Sequence, residues 1–251
     1  MRYRAILFLA FASAQPVAAQ EPLTIEQLMV DARRTQLAMV ADSRASDSGR
    51  GSRGRGWGLA LRHGLSSAVE VNALYRESQQ FEGTGPAEVA TVTRRVSVGA
   101  NWRILREAEL PALLMEIRAN FIDGRGLDGY QMGFTTYRSI DPVVLSLRAG
   151  RQQYRNVALG GVELQRGGNW FLEPRVSFAV NHQVTLYGGL FGTFSDATRL
   201  GESELGTVRQ NVGINGGFAY APTPRQTIFV NAETAANSGS TVLGVQWYYT
   251  F

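Results

Sequence analysis

From Trp57 to the last residue, apolar side chains recur at every second position, and this period limits what the chain can fold into. Val69, Val71, Ala73 and Tyr75 are separated by Glu70, Asn72 and, beyond them, Arg76. Val96, Val98, Ala100, Trp102 and Ile104 alternate with Arg95, Ser97, Gly99, Asn101 and Arg103. Leu113, Met115, Ile117, Ala119 and Phe121 enclose Glu116, Arg118 and Asn120. The same pattern runs through Val143–Ala149 around Ser146 and Arg148, through Trp170–Val180 around Glu173 and Arg175, and through Val212–Tyr220. A helix would scatter these apolar residues around its circumference. A strand gathers them on one face.

Between these segments lie two kinds of connection. His63–Ser66, Arg106–Pro111, Ser139–Asp141, Asn181–Gln183 and Pro222–Gln226 are tight. Glu77–Glu88, Ile122–Gly129, Arg155–Gly168, Ser195–Gly206 and Thr234–Ser240 are longer and rich in Gly and charge. The two kinds alternate, as in an outer-membrane barrel with short periplasmic turns and longer external loops. Ten connections join eleven strands, the first at Gly56–Arg62. An even count requires one more strand before it. Thr35–Arg44 fits, with Ala45–Arg53 as the first external loop. The expected fold class is therefore all-β: a closed antiparallel transmembrane barrel of twelve strands over residues 35–251. A soluble β-sandwich also alternates, but it has no need of two classes of connection.

The N-terminus supports secretion. Met1–Arg4 is basic, Ala5–Ala14 is apolar, and Val17–Ala19 is small-residued before Gln20. This reads as a signal peptide over 1–19, cut between Ala19 and Gln20. Its apolar core is too short for a helix that spans a bilayer, which needs about 20 residues. A periplasmic segment, 20–34, follows. Thr24–Gln27 reads as a capping box opening a short helix over Ile25 to about Arg33, with an unstructured tail as the alternative. The chain ends on an alternating strand in which Val245, Trp247, Tyr249 and Phe251 share one face, and a terminal aromatic there is read as an assembly signal.

Closure in lipid would turn the apolar series outward and the polar series inward. Arg62, Glu70, Arg76, Arg95, Arg103, Glu116, Arg118, Arg148, Glu173 and Arg175 are then pore-lining. The small residues Gly58, Ala60, Gly99, Gly150, Gly213 and Gly217 leave room among them. Twelve strands fall between a barrel filled by side chains and an open one, so a narrow or plugged pore and a sealed interior both remain open. The inward excess of Arg favours anionic or zwitterionic permeants.

All 25 basic residues are Arg, against 21 acidic ones, and without Arg2 and Arg4 the balance falls to 23 − 21 = +2. That is too even to suggest a nucleic-acid partner. The absence of Cys excludes disulfides and thiolate metal sites. No GxSxG is present, His63 and His182 fall in short turns, and Asp123, Asp128 and Asp141 read as solvated carboxylates. No enzyme, cofactor or metal is expected. The expected partners are outer-membrane lipid and lipopolysaccharide and the barrel-assembly machinery, with a homo-oligomer also open.

The segments Gly56–Tyr75 (GWGLALRHGLSSAVEVNALY), Thr136–Leu145 and Phe178–Leu186 resemble turns of a group of proteobacterial outer-membrane barrels. That group includes transporter-like barrels of the phenol-degradation meta-pathway and the FapF-like pore of the functional-amyloid system. The resemblance implies a twelve-stranded barrel with a periplasmic N-terminal segment. Three roles follow as expectations: passive passage of small solutes, export of a polypeptide such as an amyloid subunit, or a closed structural barrel.

Overall fold

The structure is a computed structural model that describes residues 29–46, 53–82, 89–159, 162–205, 209–237 and 239–251. Sixteen strands lie within them. Twelve form a closed barrel: β1 (Thr35–Ser46), β2 (Arg53–Gly64), β3 (Val69–Glu82), β4 (Val89–Leu105), β5 (Ala112–Ile122), β6 (Gly126–Ile140), β7 (Val143–Tyr154), β10 (Asn169–Ala179), β11 (Val184–Ser195), β14 (Arg209–Thr223), β15 (Gln226–Ala235) and β16 (Ser240–Thr250). Every barrel neighbour is antiparallel, and β16 closes on β1 with Trp247 opposite Met39. Closure leaves no strand edge unpaired, the condition for a sheet in hydrocarbon. Four short strands, β8 (Val157–Leu159), β9 (Val162–Gln165), β12 (Arg199–Leu200) and β13 (Ser203–Glu204), form a separate sheet at one end.

The period-two reading fixes the two faces. Leu59, Leu61, Val96, Val98, Ile117, Leu145, Leu147, Leu172, Val176, Leu190, Ile214, Leu243 and Val245 all lie exposed on the outside. Aromatics flank this band, with Trp57, Tyr130 and Trp170 toward one end and Trp102, Phe178, Tyr220 and Phe251 toward the other. Trp247, Tyr249 and Phe251 form a ladder with ring centroids 6.0 and 4.9 Å apart.

Several boundaries differ from expectation. Glu77–Phe81 belongs to β3, where Glu77 pairs across to Arg94 at 3.0 Å and Phe81 stacks against Arg53 and Arg55. Cross-strand pairing thus carries the sheet through polar residues that read as loop. Ile122–Gly129 is a tight turn at 123–125, made possible by positive φ at Gly124 (74°) and Gly126 (70°). The strong contrast in loop length rests mainly on 155–168 and 196–208, which carry the four-stranded sheet. The ladder between β10 and β11 skips Glu173 and Pro174 before resuming at Arg175, as a proline without N–H requires. The expected helix over 25–33 is not seen in its described part. Residues 29–34 run instead through a bend at Met29, a bridge from Ala32 to Gly64 and a turn at Arg33. Its beginning and the Ala19/Gln20 cleavage site lie outside the described residues.

Candidate functional site

The interior is layered. At the end that carries the short turns, the chain before β1 lies across the mouth. Arg33 takes φ 63° and donates its N–H to Gly64 O at 2.7 Å. Gly64 is required here, because a Cβ would collide with the backbone of Val30 and Asp31. Val30 N–H donates to Glu70 Oε2 at 2.6 Å. Glu70 is completely buried and receives both Nε and Nη2 of Arg62, each at 2.9 Å. Arg62 also donates to Gln36, and Asn101 donates to Glu70 at 3.0 Å. Met29 reaches the other side, packing on Ala112, Leu114, Tyr137 and Val144 of β5, β6 and β7. The segment therefore bridges the β2–β3 wall and the β5–β7 wall.

Inside the barrel, Ala38, Ala60, Leu74, Tyr187, Ala219, Phe229 and Tyr248 form an apolar cluster drawn from β1, β2, β3, β11, β14, β15 and β16. These residues stand in the inward phase, where the sequence pattern led us to expect polar ones. Inward aromatics also lie over inward glycines of neighbouring strands. Phe171 covers Gly133 and Gly150, Phe191 covers Gly213, and Tyr187 covers Gly217 while its hydroxyl donates to Val230 O at 3.0 Å. Three of the small residues expected to leave space, Gly150, Gly213 and Gly217, are the seats of these rings. Such pairs are invisible in one sequence because they depend on the register between neighbouring strands.

Charges cluster elsewhere on the inner wall. Arg148 is paired with Glu116 and reaches Glu173 at 3.3 Å, and its guanidinium stands 4.6 Å from the Phe171 ring centroid. Gln131 donates to Glu116 at 2.8 Å. Arg175 lies 5.6 Å from the Tyr187 ring. Arg76 pairs with Asp42. Arg118 occupies the inward phase two positions from Glu116, and Arg95 faces inward within electrostatic reach of Asp128 and Tyr154. Arg103 is at the short-turn rim, donating to Ser67 O at 3.1 Å.

At the opposite end, Asp128 pairs with Arg166, whose guanidinium sits 4.3 Å from the Tyr154 ring centroid. Asp128 is only 4% exposed, which corrects its reading as a solvated loop carboxylate. Arg166 directly follows β9, so this pair ties the four-stranded sheet to the barrel rim. Arg151 to Asp196, at 3.0 Å, adds a second tie on the outer side.

The ten residues expected to line the pore stand in the inward phase of their strands, Arg103 at the rim, and several neutralise one another. Sequence reasoning missed Asp42, Asp128 and Arg166, together with the inward-phase residues Arg44 and Glu233 and the inward aromatics. Asp42 was recoverable, since it continues the inward phase of Gln36 and Ala38. Arg166 was not, because its partner is 38 residues away across a loop.

In the turn between β4 and β5, outside the spanning strands, Glu107 accepts Ser139 N–H at 2.6 Å and Ser139 Oγ–H at 2.7 Å. These bonds, with Arg138 beside them, hold its carboxyl below the usual range. His63 Nδ1 lies 2.9 Å from Thr35 Oγ1, and His182 is in the turn between β10 and β11. Among the described residues, no three His, Asp or Glu side chains group as metal ligands.

No family model matches the chain, and no curated protein matches it by sequence. Solved structures do match. The COG4313 outer membrane channel from Pseudomonas putida F1 superposes with a TM-score of 0.74 at 10% identity, covering 92% of this chain and 100% of that one. The NanC porin gives 0.61 at 10% identity over 85% and 98%, and the KdgM porin 0.57 at 12% over 85% and 99%. At these identities the likeness is one of fold: this chain has the closed twelve-stranded barrel of outer-membrane channels.

Proposed function

We propose that this protein is a non-enzymatic channel of a Gram-negative outer membrane that passes small solutes and favours anions. The short-turn end would face the periplasm and the four-stranded sheet the exterior. One observation carries the reading: a closed barrel, apolar outside, encloses an inner wall on which Arg exceeds Asp and Glu. Arg44, Arg62, Arg76, Arg95, Arg103, Arg118, Arg148 and Arg175 face Asp42, Glu70, Glu116, Asp128, Glu173 and Glu233. Rings of basic side chains favour anions by their field. Kinship with the phenol-degradation transporter-like group, cleavage after Ala19 and assembly through the terminal aromatic strand belong to the same proposal.

The test is single-channel recording of the purified barrel in a planar bilayer under a salt gradient. The reading expects conductance with a reversal potential on the anion-selective side. Replacing Arg95 and Arg118 by Gln should move that potential toward zero. A folded barrel with no conductance would favour the closed structural role instead. Unchanged selectivity in the double variant would remove these two residues from the permeation path.

A further inference from the structure

The outward face of β2, β3 and β4 changes character above the aromatic belt. Leu61, Leu59 and Trp57 are exposed in sequence along β2, and Trp57 meets Tyr75 of β3 with centroids 5.4 Å apart. The next outward positions toward the four-stranded-sheet end are Arg55 and Arg53, both exposed. Their guanidiniums lie 5.3 and 5.8 Å from the centroid of the Phe81 ring. Arg55 Nε is also fixed by Gln79 Oε1 at 2.8 Å. On β4, the outward Arg94 is engaged by Glu77 at 3.0 Å and by Asp123 at 3.8 Å.

An arginine just beyond the aromatic belt meets lipid headgroups rather than acyl chains. A charge there costs little, whereas at mid-depth it is strongly disfavoured. A guanidinium presents a planar fork of donors that matches two phosphate oxygens. Stacking on Phe81 orients both guanidiniums in advance, so less side-chain freedom is lost when an anion binds. The apolar strip below, Trp57–Leu59–Leu61, supplies a surface for acyl chains in register with the charges. Elsewhere around the barrel, Ser43, Ala45, Val212 and Ala232 stand in the outward phase of their strands toward the same end, and the outward Arg151, over the Trp170 ring at 4.9 Å, is held by Asp196.

We infer that the β2–β4 face is a binding site for a phosphorylated glycolipid of the outer leaflet, with Arg53 and Arg55 holding a phosphate and Trp57, Leu59 and Leu61 an acyl chain. This rests on the outer-membrane reading but not on the pore being open, so it is tested without conductance.

The experiment measures retention of lipid by the detergent-purified full chain, using native mass spectrometry and two probes: diphosphoryl lipid A and the same lipid with its phosphates removed. Wild type should retain the diphosphoryl form roughly 10- to 30-fold better, the scale expected of two interfacial arginines. The double variant Arg53→Gln/Arg55→Gln should lose that preference, whereas Arg199→Gln, in the four-stranded sheet, should keep it. Phe81→Leu leaves both charges and should weaken retention several-fold, and it serves if the double variant fails to fold. Equal retention of the two lipids by wild type overturns the site. So does full phosphate preference in a double variant shown to be folded by heat-modifiable migration, or in Phe81→Leu.

Discussion

Leu145 and Arg148 lie three positions apart on β7 and meet opposite surroundings. Leu145 is 47% exposed on the outer face, and Arg148 is enclosed between Glu116 and Glu173. Leu145→Arg should therefore cost about 2–4 kcal/mol near mid-depth, and Ile117→Arg the same. Folding yield in vesicles of defined thickness measures it, and wild-type yield in both would refute the assignment of the outer face. Arg148→Gln differs from a simple neutralisation in water, because it strands two carboxylates that its guanidinium now satisfies. Removing one partner from such a pair costs about 3–5 kcal/mol when it is buried. Arg118→Gln should cost much less. A pH effect arises at Glu107, whose carboxyl is held below its usual range by the Ser139 N–H, then by the Ser139 hydroxyl and Arg138. A lowered folded-state value means that the stabilisation is present above the unfolded carboxylate range and lost as pH falls through the folded value. Glu107→Gln should thus flatten the acid limb of thermal stability below about pH 4.5, leaving neutral-pH stability lower than wild type. An unchanged acid limb would show that the turn contributes nothing there.

Elements were legible where their pattern is local. The spacing of outward residues and the alternating connections give eleven barrel strands, because side-chain direction alternates residue by residue, and the even count supplies β1. Their ends were less legible. Gly124 and Gly126 shorten one connection to a turn, while Glu77–Phe81 stays in the sheet through partners on β2 and β4. The strands β8, β9, β12 and β13 are too short to show a period, and β9 pairs with β12 across the whole of β10 and β11. What fastens that sheet gives an element-scale prediction. Arg166→Ala or Asp128→Asn leaves a buried partner unpaired, so the sheet should detach from the rim while the barrel persists. Limited proteolysis should then cut within 156–165 far faster than in wild type, with heat-modifiable migration unchanged. Equal protection would mean that the tie does not hold the sheet. At the other end, Phe251 N–H donates to Thr35 O at 2.9 Å, and its ring rests against Tyr249. Deleting Phe251 removes a bond at the β16–β1 seam as well as the terminal aromatic, and yield of assembled barrel in cells should fall. A normal yield would separate the aromatic ladder from assembly.

At the scale of the molecule, the question is what the closed wall encloses, and here the alternation was least informative. It states which residues turn inward and nothing about whether opposite walls meet. Two features occupy the interior: the apolar cluster around Phe229 and Tyr248, and the segment 29–34 at the short-turn mouth. The second is the more separable, because its hold on the wall consists of few contacts. Val30 N–H donates to the Glu70 carboxylate, Arg33 N–H donates to Gly64 O, and Met29 packs against Ala112, Leu114 and Tyr137. Met29→Gly removes the far contact without touching the wall. Glu70→Ala removes the side-chain part of the near one, leaving the Arg33–Gly64 bond, and it also strands Arg62, at about 3–5 kcal/mol. If segment 29–34 limits passage, Met29→Gly should raise single-channel conductance or open probability, with a modest loss of thermal stability from the vacated apolar contact. Glu70→Ala should raise it too, but with a larger drop in unfolding temperature. Deletion of the segment up to Arg33 sets the upper bound, because it clears the mouth on both sides. Wild-type conductance in the deletion would place the restriction at the apolar cluster instead, and Phe229→Ala would then be the variant that opens the barrel.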